Sequence, residues 1–249
     1  MEPSKRRLLS GIAALTAGAA LIPVTQVQAQ SVPSAPRNGR AAISRGDGRK
    51  RYGMLIDLRR CVGCQACTVA CTIENQPPLG QFRTTVSQYE VSDVAALAAP
   101  ASLLMLPRLC NHCAEPACLD VCPTGATFQR DDGIVVVNND WCVGCGYCVQ
   151  ACPYDARFIN HETNTADKCT FCAHRLEAGL LPACVESCVG EARIIGDLND
   201  PKSQISRLLR EHESALKVLK PEAHTQPRVF YLGMDEAFVS KIDGHPAQR

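Results

Sequence analysis

Apolar and polar residues alternate in short runs along the chain, and each run predicts a short β-strand. The first run leads directly into a group of cysteines, and its apolar positions are Tyr52, Met54, Ile56 and Leu58. Three later stretches, "QFRTTVSQYEV", "GEARIIGDLND" and "RVFYLGM", also predict extended segments. The pattern is that of short strands separated by segments of another kind.

Two further stretches predict β-hairpins. In "GATFQRDDGIVVVNNDWC" the turn signal Asp131-Asp132-Gly133 lies between two short strands. The stretch "DARFINHETNTADKC" repeats the plan of strand, polar turn and returning strand. Each predicted hairpin runs into a cysteine, so the chain is an internal repeat of cysteine groups and short strands.

Helical periodicity is confined to a few segments. Residues 201–220 predict an amphipathic helix that packs on its own protein, and its apolar face would be Ile205, Leu208, Leu209, Leu216 and Leu219. The stretch "SDVAALAAPASLLML" is expected to be helical or irregular. It belongs to residues 73–106, which contain no cysteine and are interpreted as an insertion.

The cysteines change the picture more than any other composition feature. The chain has 249 residues and 16 cysteines, and only 5% of its residues are aromatic, so a large conventional core is not expected. The cysteines form four groups of four, namely Cys61, Cys64, Cys67, Cys71; Cys110, Cys113, Cys118, Cys122; Cys142, Cys145, Cys148, Cys152; and Cys169, Cys172, Cys184, Cys188.

Two explanations compete with an iron–sulfur interpretation of these groups. A disulfide framework gains stability by closing long loops, and thiols two residues apart close almost none. Zinc is the stronger rival, because paired C-x2-C units are typical of zinc ribbons. Zinc ribbons, however, do not need three cysteines within seven residues followed by a fourth.

The spacing itself favours [4Fe–4S] clusters. Groups one and three read C-x2-C-x2-C-x3-C, the bacterial ferredoxin spacing, in which the fourth cysteine binds the other cluster of a pair. Group two is C-x2-C-x4-C-x3-C, and groups two and three both end in Cys-Pro. Group four is C-x2-C-x11-C-x3-C, with "AHRLEAGLLPA" as a helical or looped excursion.

Four groups of four ligands predict four [4Fe–4S] clusters. Because only 19 residues separate groups two and three, these two are expected to form one ferredoxin unit. Groups one and four then pair by elimination around it. The expected ligand sets are cluster 1, Cys61, Cys64, Cys67 and Cys188; cluster 2, Cys169, Cys172, Cys184 and Cys71; cluster 3, Cys110, Cys113, Cys118 and Cys152; and cluster 4, Cys142, Cys145, Cys148 and Cys122.

Several neighbours of the cysteines are secondary candidates. Trp141 can shield a cluster from water or simply pack, and His112 is a ligand only on paper, since its group already holds four cysteines. Four flanking cations either raise the cluster potentials or are ordinary surface charges; they are Arg59, Arg60, Lys168 and Arg175.

The N-terminus predicts a targeting segment over residues 1–29. Lys5, Arg6 and Arg7 precede a weakly apolar run, and Val27-Gln28-Ala29 is a small-residue cleavage site. Adjacent arginines indicate twin-arginine export, which carries folded proteins that already hold their cofactors. An ordinary secretory signal and an uncleaved anchor are the alternatives. Residues 30–50 are interpreted as a linker or arm.

Charge excludes one class of partner. The formal net charge is +1, and removal of residues 1–29 takes away Glu2, Lys5, Arg6 and Arg7, which leaves −1. Nothing in this balance indicates nucleic-acid binding.

The motifs together resemble a known family. "YGMLIDLRRCVGCQACTVACTIENQ", "LPRLCNHC" and "CVGCGYCVQACPYDARFINHETNTADKCTFCAHRLEAGLLPACVESC" are similar to iron–sulfur subunits of the molybdopterin oxidoreductase superfamily. That family includes the electron-transfer subunits of dimethyl sulfoxide, polysulfide, thiosulfate and nitrate reductases and of formate dehydrogenases. The resemblance runs from about residue 51 to "VFYLGMDEAFV".

The resemblance implies both a fold and a role. The fold would be α+β, with two nested ferredoxin-like units built from short β-hairpins and helices. An outer unit would span residues 51–72 and 160–200, an inner unit 107–159, and a C-terminal extension 201–249. The nested ligand pairing is also the family pattern.

In that role the chain performs no bond chemistry itself. It would pass electrons from a multi-span membrane subunit that oxidises quinol to a molybdopterin-containing catalytic subunit, in the periplasm. The catalytic partner sets the substrate, so polysulfide, thiosulfate, arsenate or nitrite-linked reductases stay open. A free-standing polyferredoxin carrier and a zinc-stabilised binding module are the alternatives.

Overall fold

The computed structural model describes residues 45–91 and 102–234, and those residues contain ten strands and six α-helices. Positions 1–44, 92–101 and 235–249 lie outside the described residues. They include the predicted signal segment, most of the predicted arm, part of the predicted insertion and the end of the predicted C-terminal extension.

The strands are short except in one hairpin. They are β1 Tyr52–Asp57, β2 Thr84–Val91, β3 Ser102–Leu109, β4 Thr127–Gln129, β5 Val135–Val137, β6 Arg157–Asn160, β7 Thr165–Lys168, β8 Arg193–Asp197, β9 Leu216–Lys217 and β10 Val229–Leu232. The helices are α1 Ala66–Asn75, α2 Ala117–Asp120, α3 Tyr147–Gln150, α4 Ala173–Glu177, α5 Ala183–Glu186 and α6 Gln204–Glu211.

A four-stranded sheet with the order β8-β1-β10-β9 joins the two ends of the described chain. Strand β1 pairs in parallel with β10, so that Met54 lies opposite Val229, and antiparallel with β8, so that Met54 also lies opposite Ile195. The stretch "RVFYLGM" is therefore an internal part of the main sheet, next to the strand that enters the first cysteine group.

Three antiparallel hairpins complete the strands: β2-β3, β4-β5 and β6-β7. The hairpin predicted around Asp131-Asp132-Gly133 is confirmed as β4-β5, and the one predicted in "DARFINHETNTADKC" is confirmed as β6-β7. The segment "SLLML" was expected to be helical or irregular, and it is neither. It lies in β3, which pairs with β2 along its whole length.

Strand β1 is buried on both faces, which its alternating pattern did not predict. Met54, Leu55 and Ile56 are all almost fully buried. One face joins the main core with Leu106 and Tyr231, and the other packs against α6 through Leu55 and Ile205. A strand that is covered on both faces favours apolar residues at successive positions, and a pattern of alternate apolar residues does not reveal this.

The helix predicted over residues 201–220 is correct only in its first half. Ser203 caps α6, because its hydroxyl accepts a hydrogen bond from the Ser206 backbone N–H, and the helix ends at Glu211. Leu216 then lies in β9 rather than on a helical face. The apolar face predicted at Ile205, Leu208 and Leu209 does pack on the sheet.

The architecture is thus a mixed one, with small sheets and few, short helices, in agreement with the α+β class expected from the sequence. None of the helices within the described parts of the chain is long and apolar enough to cross a bilayer.

The packing of α6 gives a first prediction. Ile205→Ala should lower the free energy of unfolding by about 2–5 kcal/mol, because it opens a cavity between α6 and the sheet. Guanidinium denaturation followed by circular dichroism measures this. Arg207→Ala, at an exposed position of the same helix, is the matched control and should change stability by less than about 0.5 kcal/mol. Equal effects of the two variants would contradict the packing described here.

Candidate metal centres

The cysteine groups share one local design, in which an irregular loop leads into a short helix. In group one, Cys61 and Cys64 precede α1, while Cys67 and Cys71 lie in α1 one turn apart. In group three, Cys142 and Cys145 precede α3, Cys148 lies in α3, and Cys152 follows its end. The matching loop glycines, Gly63 and Gly144, have φ of +71° and +68°, so the tight turns require the left-handed backbone that glycine adopts freely.

Twelve of the sixteen cysteines line three cavities, four to each cavity. The first cavity is lined by Cys61, Cys64, Cys67 and Cys188. The second is lined by Cys71, Cys169, Cys172 and Cys184, and the third by Cys110, Cys113, Cys118 and Cys152. Each cavity therefore takes three cysteines from one group and the last cysteine of another group.

The other four cysteines belong to groups two and three and line none of these three cavities. Cys142 and Cys145 are in the loop before α3, Cys148 is in α3, and Cys122 follows α2. Helices α2 and α3 pack against each other. The contact between α2 and α3 is the observation that places these four thiols near one another.

The arrangement of the thiols around each cavity bears on the choice between a single zinc ion and a larger cluster. Four sulfurs on a tetrahedral zinc, with Zn–S bonds of about 2.3 Å, lie within about 4 Å of one another. No group of three or more His, Cys, Asp or Glu side chains in residues 45–91 and 102–234 could hold a metal ion. A cluster of several iron and sulfide atoms keeps its four thiolates further apart, and cavities bordered by four thiols suit that larger group.

Burial keeps seven of the sixteen thiols from ionising on their own. Desolvation raises the pKa of Cys71 to about 12 and that of Cys113 and Cys118 to about 11. It also raises the pKa of Cys61, Cys152, Cys169 and Cys184, and neighbouring thiols add to the effect. Thiolates are stable here only when a positively charged partner binds them, as iron does.

The pKa of Cys122 shifts in the opposite direction. Burial opposes its ionisation, but hydrogen bonds from the Thr127 N–H and from Thr124 outweigh burial and lower the pKa of the thiol. The Thr127 N–H lies 3.4 Å from Cys122 Sγ.

Backbone amides donate to several cysteine sulfurs. The N–H of Ala192 lies 3.2 Å from Cys188 Sγ, and that of Ala166 lies 3.3 Å from Cys142 Sγ. Hydrogen bonds to cluster sulfurs and exposure to water are the protein's means of setting cluster potentials. The loops after the cysteines, and not only the cysteines themselves, therefore belong to the site.

Asn75 connects two cysteine groups directly. Its Nδ2 lies 3.4 Å from Cys71 Sγ and 3.6 Å from Cys172 Sγ, and its Oδ1 accepts a hydrogen bond from Arg83. Arg83 is fixed in turn by an ion pair with Asp167 at 2.9 Å. Sequence reasoning missed this asparagine, whose only signal was its position one helical turn after Cys71.

Two buried arginines were missed as well. Arg193 lines the first cavity and Arg157 lines the third, and they are 3% and 4% exposed. A repeat in the sequence does mark them: each is the fifth residue after the last cysteine of its group, in "CPYDAR" and "CVGEAR".

The structure separates the four cations that the sequence singled out. Lys168 is 1% exposed. The other three are paired with carboxylates: Arg59 with Asp57 at 2.8 Å, Arg60 with Glu191 at 2.8 Å, and Arg175 with Glu74 at 2.8 Å and with Glu186. Of the four, therefore, only Lys168 brings an uncompensated charge into the interior.

His112 and Trp141 have opposite environments. His112 is fully buried, stacks on Phe171 with ring centroids 3.8 Å apart, and accepts a hydrogen bond at Nδ1 from the Val135 N–H. Burial lowers its pKa, so the ring is neutral. Trp141 is 59% exposed and borders an open cleft beside Phe128 and Arg130, so it does not pack as a core residue.

Comparisons with known proteins agree with this geometry. Residues 101–198 match the family model described as a 4Fe-4S dicluster domain. The chain is 62% identical over 98% of its length to a tetrathionate reductase subunit of Salmonella typhimurium, of which the match covers 94%.

More distant relatives belong to other reductases. The arsenate respiratory reductase iron–sulfur subunit of a Shewanella species is 36% identical over 73% of this chain and 96% of its own length. A putative dimethyl sulfoxide reductase iron–sulfur subunit of Halobacterium salinarum is 40% identical over 73% of this chain and 78% of its own length.

The meeting of loops at the first cavity yields a second prediction. A Cβ at Gly190 would clash with the carbonyl oxygen of Arg60, so Gly190→Ala should push Cys188 away from the loop of Cys61. The variant should hold less iron than the wild type, because the first cavity loses one of its four thiol ligands. Gly48→Ala, where the added Cβ meets only ordinary contacts, is the control and should keep its full iron content. Unchanged iron in Gly190→Ala would show that the two loops need not meet.

Proposed function

The chain belongs to the iron–sulfur electron-transfer subunits of tetrathionate reductase and related reductases, and from that premise we propose that it carries four [4Fe–4S] clusters in series. The observation that carries the proposal is the convergence of twelve cysteines on three cavities, four to each. These three sets support the ligands expected for clusters 1, 2 and 3. The donor chemistry also fits, since each cavity offers four thiols and buried N–H donors.

The fourth cluster rests on a simpler argument. Cys122, Cys142, Cys145 and Cys148 are the cysteines that the three cavities leave over, and group three has the ferredoxin spacing. The contact of α2 with α3 supports their convergence. We assign these four residues to cluster 4.

The same ligand exchange supports two nested ferredoxin-like units. Groups two and three exchange Cys122 and Cys152, and groups one and four exchange Cys71 and Cys188. The inner unit is then continuous in sequence, while the outer unit is interrupted by it and by hairpin β2-β3. The central sheet, which pairs β1 with β8 and β10, joins the two halves of the outer unit.

Neighbouring thiols support the order 1–2–3–4 along the path. Cys184 of cluster 2 interacts electrostatically with Cys67 of cluster 1, and Cys169 of cluster 2 does so with Cys110 of cluster 3. The packing of α2 on α3 brings the elements of clusters 3 and 4 together.

The chain itself contributes to electron transfer by holding the clusters in place and by shielding them from water. The clusters, once bound by the cysteines, would supply one-electron transfer. The cysteines fix the distances between clusters, and the apolar walls exclude water. Short, rigid helices keep those distances constant, so little reorganisation accompanies each transfer.

The two ends of the path are the places where partners would dock. Cys64 of cluster 1 and Cys145 of cluster 4 are the two cysteines classed as exposed. Apolar side chains stand in solvent beside them: Val62 and Val189 near cluster 1, Val143 and Tyr147 near cluster 4. A group of neighbouring exposed apolar residues is typical of a surface that another protein covers.

The partners follow from the family resemblance. One end would accept electrons from a multi-span membrane subunit that oxidises quinol, and the other would deliver them to a molybdopterin-containing catalytic subunit. Tetrathionate is the substrate favoured by the 62% identity to a subunit of tetrathionate reductase. Arsenate or dimethyl sulfoxide reduction is the alternative favoured by the more distant relatives.

We also propose export by the twin-arginine route to the periplasm. Arg6 and Arg7 support this, together with the need to insert clusters before the chain leaves a reducing compartment.

Iron counting in paired variants tests the ligand assignment. The intact chain should hold about 16 iron and 16 sulfide. Cys64→Ser with Cys188→Ser removes two ligands of one cluster and should leave about 12 iron. Cys64→Ser with Cys71→Ser removes two cysteines of the same group but of different clusters, and should leave about 8 iron.

The reversed result, with 12 iron in the second pair and 8 in the first, would mean that each group binds its own cluster. Zinc in place of iron, or disulfides and no metal, would end the proposal as a whole. Electron paramagnetic resonance of the reduced protein identifies the cluster type in each case.

Cell fractionation tests the partners and the export. The tagged chain should purify from the periplasmic face of the membrane with a large molybdenum-containing subunit and a membrane subunit. Arg6→Lys with Arg7→Lys should hold the chain in the cytoplasm, whereas Lys5→Arg, the control, should not. A lone monomer from the wild-type strain would favour the free-standing carrier instead.

A further inference from the structure

Three cations are buried in the protein interior without any acidic partner. Arg193, Lys168 and Arg157 are 3%, 1% and 4% exposed. None of them is within 4.0 Å of an Asp or Glu oxygen in the described part of the chain, although six other arginines are. A buried charge without a counter-charge is costly, so each of these needs an explanation.

Each of the three cations faces two neighbouring clusters of the proposed series. Arg193 lines the cavity of cluster 1 and interacts electrostatically with Cys67 of that cluster and with Cys184 of cluster 2. The Lys168 ammonium interacts with Cys169 of cluster 2 and with Cys110 and Cys118 of cluster 3.

Arg157 repeats this position at the third junction. It lines the cavity of cluster 3, where it interacts with Cys110 and Cys118, and it also interacts with Cys148 of cluster 4. The three junctions of a four-cluster series therefore hold one buried cation each.

Hydrogen bonds hold the two arginines in the same way. Arg157 donates from Nη1 to Thr127 Oγ1 at 3.1 Å, and Arg193 donates from Nη2 to Thr84 Oγ1 at 2.9 Å. The other terminal nitrogen of each guanidinium, Nη2 of Arg157 and Nη1 of Arg193, is buried and has no hydrogen-bond partner. Each arginine thus keeps one donor for an acceptor next to it, such as a cluster sulfur.

Lys168 is held by neutral groups as well. Its Nζ donates to the carbonyl oxygens of Val135 and of Cys169, the latter at 2.8 Å. These carbonyls orient the ammonium without compensating its charge.

We propose that Arg193, Lys168 and Arg157 compensate the negative charge of the clusters in pairs, each one raising the reduction potentials of the two clusters that flank it. The proposal rests on the proposed function, because it needs the four clusters in the order 1–2–3–4. A [4Fe–4S] cluster with four thiolates is an anion, and a nearby cation favours the further electron that reduction adds. Because the cation lies beside both clusters of a junction, it raises both of their reduction potentials.

Redox titration of the purified, cluster-loaded protein tests this, with electron paramagnetic resonance as the readout. Arg157→Gln and Arg193→Gln remove one charge each, and guanidinium groups are charged at every accessible pH. Each variant should lower two of the four midpoint potentials. At a fixed solution potential the reduced-to-oxidised ratio of those two clusters should fall at least tenfold, which is 59 mV for a one-electron couple.

The two variants should move different pairs of potentials, since Arg157 flanks clusters 3 and 4 and Arg193 flanks clusters 1 and 2. The result therefore needs no prior assignment of the signals. Arg157→Lys and Arg193→Lys keep the charge and should restore the potentials. Arg49→Gln removes an exposed cation paired with Asp47, and it should leave all four potentials unchanged.

Thr127→Asp provides a second route to the same charge. It places a carboxylate beside the Arg157 guanidinium, and it should lower the same two potentials as Arg157→Gln with the arginine still present. If Arg157→Gln instead loses the iron of two clusters and Arg157→Lys keeps it, the charge role is supported through occupancy.

Three outcomes would overturn the inference. They are full iron content with unchanged potentials in both glutamine variants, equal shifts in the lysine and glutamine variants, and iron loss in the lysine variants too. Failure of the proposed function is a different result, because the wild-type protein would then lack about 16 iron.

Discussion

Each of the three cysteine-lined cavities takes its fourth thiol from a distant part of the chain, and the rest of the structure depends on that constraint. Cys188 reaches the loop of Cys61, and Cys152 reaches the loop of Cys110. A group that cannot complete its own site forces two segments to lie side by side. The short sheets and helices have only to hold those segments in place, which is why a chain with 5% aromatic residues can still build a core.

Local elements could be predicted from the sequence wherever a turn signal fixed them. The hairpin at Asp131-Asp132-Gly133 is an example, because turn chemistry is decided within a few residues. The parallel pairing of β1 with β10 could not be predicted, since nothing local in either strand specifies a partner more than 170 positions away. Helix α6 was predicted too long for a related reason: Leu216 and Leu219 continue the apolar pattern, but they face the core from β9 and from the loop after it.

The candidate site divides along the same line. The sixteen cysteines and their grouping could be found from spacing, because the ferredoxin loop is a local structure. The residues that modify the thiols could not, since they act across tertiary contacts. Asn75 joins Cys71 to Cys172, and the Arg193 guanidinium meets Thr84 from a different strand. For the two arginines, the sequence signal was their recurrence five positions after Cys152 and Cys188. Two occurrences became interpretable only once the structure showed that both arginines are buried.

Burial and charge together make this chain depend on its clusters for folding. Without metal, desolvation keeps thiols such as Cys71 and Cys113 protonated, while Arg157 and Arg193 stay charged in the same interior. The interior then holds positive charge with nothing to balance it, which disfavours the compact state. Binding an anionic cluster removes that imbalance and adds metal–thiolate bonds, so folding and loading are coupled. A chain of this kind is expected to be more stable as a loaded protein than as an empty one.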